Sequence, residues 1–167
     1  AGTNFTMTYF GLHGIFLKVM QNEEFRFYAG SCLVLTGLVA SILYGLGIDD
    51  IESAFRAALF QVVSVITTTG YITADYTGWT SFLTVLFFML MFIGASAGST
   101  AGGVKIVRHI ILVKNSLLEI KRQLHPNAVI PVRLNGKAIS REITFNILAF
   151  IMIYISISLL MFLYKIP

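Results

Sequence analysis

Two stretches of this chain carry residue types whose main chain, rather than side chains, could do chemistry. The first is Thr67-Thr68-Thr69-Gly70-Tyr71. Threonine is a poor helix former and glycine reaches backbone angles closed to other residues. The string therefore favours an unwound segment that offers its carbonyl groups as ligands. Carbonyl dipoles can replace the hydration shell of a large, weakly hydrated monovalent cation such as K+, where a carboxylate cage would hold it too tightly to release. Gly70 can aim its own and neighbouring carbonyls to one side, within a segment that runs from Thr67 to Tyr71. A string of this kind is also an ordinary threonine-rich turn, so its setting must decide.

The second stretch is Gly94-Ala95-Ser96-Ala97-Gly98-Ser99-Thr100-Ala101-Gly102-Gly103, followed by Lys105. Residues this small make a poor helix and a flexible loop, and irregular backbone at membrane depth is tolerated only where protein buries it or it lines a wet cavity. A gate on an ion path fits that description. Close helix packing through small residues is the alternative, although consecutive glycines exceed what packing requires. Lys105 either sets a positive charge near an inner pore mouth or snorkels to the membrane interface. A phosphate-binding loop is excluded, because Val104 separates Gly103 from Lys105, Ile106 follows, and no strand precedes.

The elements that must position these stretches are hydrophobic. Of 167 residues, 56% are apolar and only 12% charged, against about one-quarter charged in a soluble domain, and the mean hydropathy is +0.81. A full span is expected at Phe27–Leu46. After a polar, acidic link containing Asp49, Asp50 and Glu52, the run Ser53–Ile66 is too short to cross a bilayer and suits a re-entrant helix with Ser53 as N-cap. It ends at the threonine segment, whose Thr68-Thr69-Gly70-Tyr71 shares the Thr, Gly and Tyr positions of the TVGYG loop lining potassium channels. Trp79 is an interfacial anchor. A second span runs from Thr80 through Leu83 to Ile93, breaks at Gly94–Gly103 and resumes at Val104. A turn at Asn135-Gly136 predicts a small hairpin within Val129–Ile139, near Pro126 and Pro131, and a last span is expected at Ile143–Leu163.

Charge sets the orientation. Eight Lys or Arg lie from Lys105 to Arg141 against the single acid Glu119, whereas Gly47–Thr80 is acidic. By the positive-inside rule, residues 105–141 are cytoplasmic and 47–78 extracytoplasmic. Beside apolar spans this basic patch reads as membrane topology, and no nucleic-acid partner is expected. His13, His109 and His125 share no metal-ligand spacing, and no paired carboxylates or nucleophile motif suggest an enzyme. Cys32 is the only cysteine, so no intrachain disulfide can form. The expected class is an all-α membrane protein with a helix–re-entrant pore loop–helix repeat of the potassium-channel-like type. Its divisions are 1–24 as the end of a preceding repeat and a cytoplasmic link, 25–120 as the complete repeat, 121–141 as a basic cytoplasmic loop, and 142–167 as the first helix of a next repeat. A structural or assembly membrane protein with a non-conducting re-entrant loop is the alternative.

The run Ser53–Tyr71 followed by Gly94–Lys105 resembles the TrkH/KtrB potassium-uptake family, in the region of its third repeat. The resemblance implies four non-identical repeats around one pore, each giving a filter loop with a key glycine, here Gly70, preceded by the carbonyl donors Thr68 and Thr69. It maps an intramembrane gating loop onto Gly94–Gly103. It further implies multi-pass insertion in a bacterial inner membrane, homodimers, and a cytosolic nucleotide-binding regulatory ring that would dock on the basic 105–141 face, a face equally suited to anionic membrane lipids. K+ would be cargo, with no resident cofactor. The chain is expected to be part of a longer protein. With three filter loops missing, the fragment is not expected to conduct alone.

Overall fold

A computed structural model describes residues 2–48, 50–124 and 130–164. Asp49, Pro126 and Val129, noted in the sequence, lie outside the described residues. Among the described residues the fold is all-α apart from one small hairpin. Its helices are α1 (Phe5–Leu12), α2 (Phe16–Gln21), α3 (Glu23–Gly45), α4 (Ile51–Ile66), α5 (Ser81–Leu90), α6 (Ile106–Leu124) and α7 (Arg141–Tyr164), with strands β1 (Arg133–Leu134) and β2 (Lys137–Ala138) between α6 and α7. Two compact units divide after Val107.

In the first unit α3 and α4 form the central packing. The buried positions of α3, Tyr28, Cys32, Thr36, Val39 and Leu43, recur every three or four residues and make one stripe. The facing stripe of α4 includes Ala54, Ala58 and Val62, and its small alanines let the backbones approach closely. Leu83 and Phe87 of α5 complete the core. The opposite face of α3 leaves Leu33 and Val34 exposed. By length and composition, Glu23–Gly45 and Arg141–Met161 can cross a membrane. At 16 residues, α4 reaches only about 24 Å, short of a bilayer core of about 30 Å.

Two helix starts differ from the sequence reading. The first span begins at Glu23 rather than Phe27, because Asn22 caps it by accepting the Phe25 N–H at 3.1 Å. The charged residues there form its first turn, where acids favour the positive dipole end. Ser53 does not cap α4. Asp50 holds the cap position and its carbonyl already accepts the Ala54 N–H at 2.8 Å, so Ser53 falls inside the helix and its hydroxyl donates back to the same carbonyl at 3.0 Å.

In the second unit the hairpin pairs Arg133 with Ala138 and Leu134 with Lys137. Asn135 and Gly136 both take positive φ, 48° and 77°, which is the tight turn that Asn-Gly favours. Lys114 of α6 donates to the Arg133 carbonyl at 2.9 Å, and Arg122 donates to the Ile130 carbonyl at 2.7 Å and pairs with Glu119. The guanidinium of Arg108 lies 3.9 Å from the ring centre of Phe150 on α7.

Candidate functional site

The helix α4 stops where its residues change character. Thr67 ends it, with both its N–H and its hydroxyl donating to the Val63 carbonyl, at 2.9 and 2.6 Å. The next donors also turn back into the helix end. The Thr68 N–H reaches the Val65 carbonyl at 3.0 Å, and the N–H groups of Thr69 and Gly70 converge on the Ser64 carbonyl at 3.1 and 3.5 Å. Left-handed angles make this possible, with φ 55° at Thr68 and 72° at Gly70. Alternating hands turn successive N–H groups to one side of the chain and leave the carbonyls to the other. Among the described residues no hydrogen bond is donated to the carbonyls of Thr67, Thr68, Thr69 or Gly70. Glycine adopts that φ freely, whereas at Thr68 it is a strained angle that the surroundings must hold.

Thr67 is 7% exposed and Tyr71 73%, so the segment rises from the core to the surface. Two polar side chains of α4 fix the return path. The Ser64 hydroxyl donates to the Tyr71 carbonyl at 2.7 Å, and the Gln61 amide donates to the Ala74 carbonyl at 2.6 Å. These residues lie three apart on one face of α4 and are almost fully buried. Beyond them Asp75 caps the short turn Tyr76–Gly78. The hydroxyl and N–H of Thr77 hold its exposed carboxyl below the usual carboxylate range.

The stretch from Gly94 to Gly103 is a closed non-helical loop, so the helix-packing reading does not apply. Its ends meet in a parallel bridge between Ile93 and Val104, with the Gly94 N–H donating to the Val104 carbonyl at 2.8 Å. A Cβ on Gly94 would run into the Gly102 carbonyl, so the crossing requires glycine. Ala95, Ser96 and Ala101 are buried, and Thr100 stands exposed at the tip.

Partners from several elements hold the loop's main chain. The Ser96 N–H donates to the Gly2 carbonyl at 3.1 Å, and the Phe5 N–H donates to the Gly98 carbonyl at 3.3 Å. The Ala97 N–H donates to the carboxylate of Glu24 at 2.5 Å. The Gly102 N–H donates to the Thr68 hydroxyl at 2.8 Å. Lys105 turns its ammonium back onto the loop, donating to the carbonyls of Ser99, at 3.3 Å, and Ala101. The threonine segment and the glycine loop, read separately from the sequence, are thus joined directly.

Sequence reasoning missed Glu24, Gln61 and Ser64. The last two did leave a signal, as polar residues at i, i+3 in an otherwise apolar short helix. Glu24 left none that distinguished it from the other charges at a helix start. Among the described residues no cluster of His, Cys, Asp or Glu could hold a metal ion. His13 packs on Tyr9, and His125 lies outside the described residues.

The family described as TrkH, cation transport protein, matches residues 45–166. The Trk system potassium uptake protein TrkH of Salmonella typhimurium is 38% identical over 145 residues, covering 86% of this chain and 30% of that protein. TrkG of Escherichia coli, also named a Trk system potassium uptake protein, is 29% identical over 152 residues, covering 90% of this chain and 31% of its own. The crystal structure of the potassium transporter TrkH from Vibrio parahaemolyticus superposes with a TM-score of 0.86 at 31% identity, over 95% of this chain and 35% of that one. The chain spans about a third of the length of these relatives. With the match covering most of its length and the same helical architecture, this chain belongs to the TrkH cation transport protein family.

Proposed function

We propose that this chain supplies one wall of a membrane path for K+. The carbonyls of Thr67, Thr68, Thr69 and Gly70 face the ion, with Thr68, Thr69 and Gly70 as its principal ligands, and Gly94–Gly103 is the gate beneath them. The observation that carries this reading is the divided use of the peptide groups at the end of α4. Their donors are spent on the helix, while four consecutive acceptors have no partner among the described residues. Thr67 is buried while Thr68, Thr69 and Gly70 are exposed, so the row is open to a ligand, and a dehydrated monovalent cation is what such a row can satisfy. The helix α4 also points its negative C-terminal end at this row.

One row cannot surround an ion. The path is completed by the other repeats of a longer transporter, which also cover the apolar faces that α3 and α5 expose. The transporter lies in a bacterial inner membrane, with residues 47–78 extracytoplasmic and 105–141 cytoplasmic. A homodimer, a nucleotide-binding regulatory ring on the basic face and contact with anionic lipids belong to the same reading by family resemblance. Potassium uptake is the function printed in the relatives' names.

The test is Gly70→Ser in the full-length transporter, measured as K+ and Na+ uptake in a strain without other potassium uptake. A side chain at φ 72° strains the segment and moves its carbonyls. The preference for K+ over Na+ should fall about fivefold to tenfold, the equivalent of losing about one good oxygen ligand. An unchanged preference contradicts the assignment.

A further inference from the structure

We infer that Glu24 is a positioning residue that holds the glycine loop in its resting place; the inference rests on the gate reading above. Glu24 lies in the first turn of α3, 73 positions before the loop residue it binds, and is only 8% exposed. A carboxylate is rarely buried to this extent without a specific partner. Its partner is the main-chain N–H of Ala97, in the middle of the loop.

Irregular backbone buried in a membrane protein must find hydrogen-bond partners from side chains. Here those partners come in complementary kinds. Glu24 accepts from a loop N–H, while Lys105, on the far side of the glycines, donates to the carbonyls of Ser99 and Ala101 and interacts electrostatically with Glu24. In the held position the loop touches the threonine segment. With Ala97 tied to Glu24, Gly102 sits 2.8 Å from the Thr68 hydroxyl, directly against the start of the carbonyl row. Moving the loop aside would strand the Ala97 N–H and a buried carboxylate together. Removing the carboxylate removes that obstacle to movement.

The experiment uses the full-length transporter in potassium-loaded liposomes without its regulatory partner, with cation leak and K+ over Na+ preference both recorded. Glu24→Ala should raise the resting leak about tenfold at unchanged preference. Glu24→Gln keeps an acceptor oxygen of the same shape without the charge and should raise it about threefold. Changed preference would mean that the pore itself is disturbed, and it would overturn the inference, as would a leak unchanged in both variants. If Glu24→Ala fails to reach the membrane, the leak of Glu24→Gln decides alone. A third variant lacking Ser99 and Thr100 separates the two readings. A leak raised by that deletion but by neither Glu24 variant removes the role of Glu24 and keeps the gate. A leak raised by none of the three removes the gate reading, and this inference with it.

Discussion

At the residue scale, the site is organised by which half of each peptide is already occupied. Ser64 serves twice. Its carbonyl collects the N–H groups of Thr69 and Gly70, and its hydroxyl holds the Tyr71 carbonyl. Gln61, one turn earlier, fixes Ala74 in the same way. Replacing Ser64 with Ala leaves the helix and its carbonyl intact but frees the Tyr71 end of the segment. A single lost hydrogen bond of this kind is worth about 1 kcal/mol. The K+ over Na+ preference should fall about threefold to fivefold, with the amount of transporter in the membrane unchanged. Ser64→Thr keeps a hydroxyl and should retain most of the preference. Equal loss in both variants would show that packing, and not the hydroxyl, is at stake.

At the element scale, the end of the short helix α4 and the break between α5 and α6 meet directly. The helix α4 delivers the carbonyl row, and the break between α5 and α6 places the loop against its base through Gly102 and Thr68. Shortening the loop by Ser99 and the exposed Thr100 should change the open fraction in single-channel recordings while leaving ion preference nearly intact. Loss of preference with normal opening would reject the gate. Much of this was legible beforehand. Hydropathy and length anticipated the helices α3, α4 and α7 and the break after α5, although the helical part of the expected second span is only the ten residues Ser81–Leu90. Asn135-Gly136 predicted the hairpin turn, because few other pairs accept two positive φ angles. Helix starts were less legible. Asn22 and Asp50 are ordinary polar residues until the structure shows each at the cap of its own helix, α3 and α4.

At the scale of the whole molecule, the least legible feature was long-range pairing. The bonds from Glu24 to Ala97 and from Thr68 to Gly102 join residues far apart in sequence, and no local pattern encodes such partners. The pairing of the N-terminal residues Gly2 and Phe5 with the loop was equally silent. These contacts tie the start of the chain, the entry of α3 and the end of α4 to one loop. The apolar faces of α3 and α5 stay exposed, and α7 is long enough to cross a membrane. The most direct test of the central claim is the anomalous scattering of thallium, a K+ substitute, in crystals of the full-length transporter. The account predicts a peak within direct-ligand distance of the carbonyl oxygens of Thr68, Thr69 and Gly70. Thallium density elsewhere in the pore, with none beside these oxygens, would contradict it.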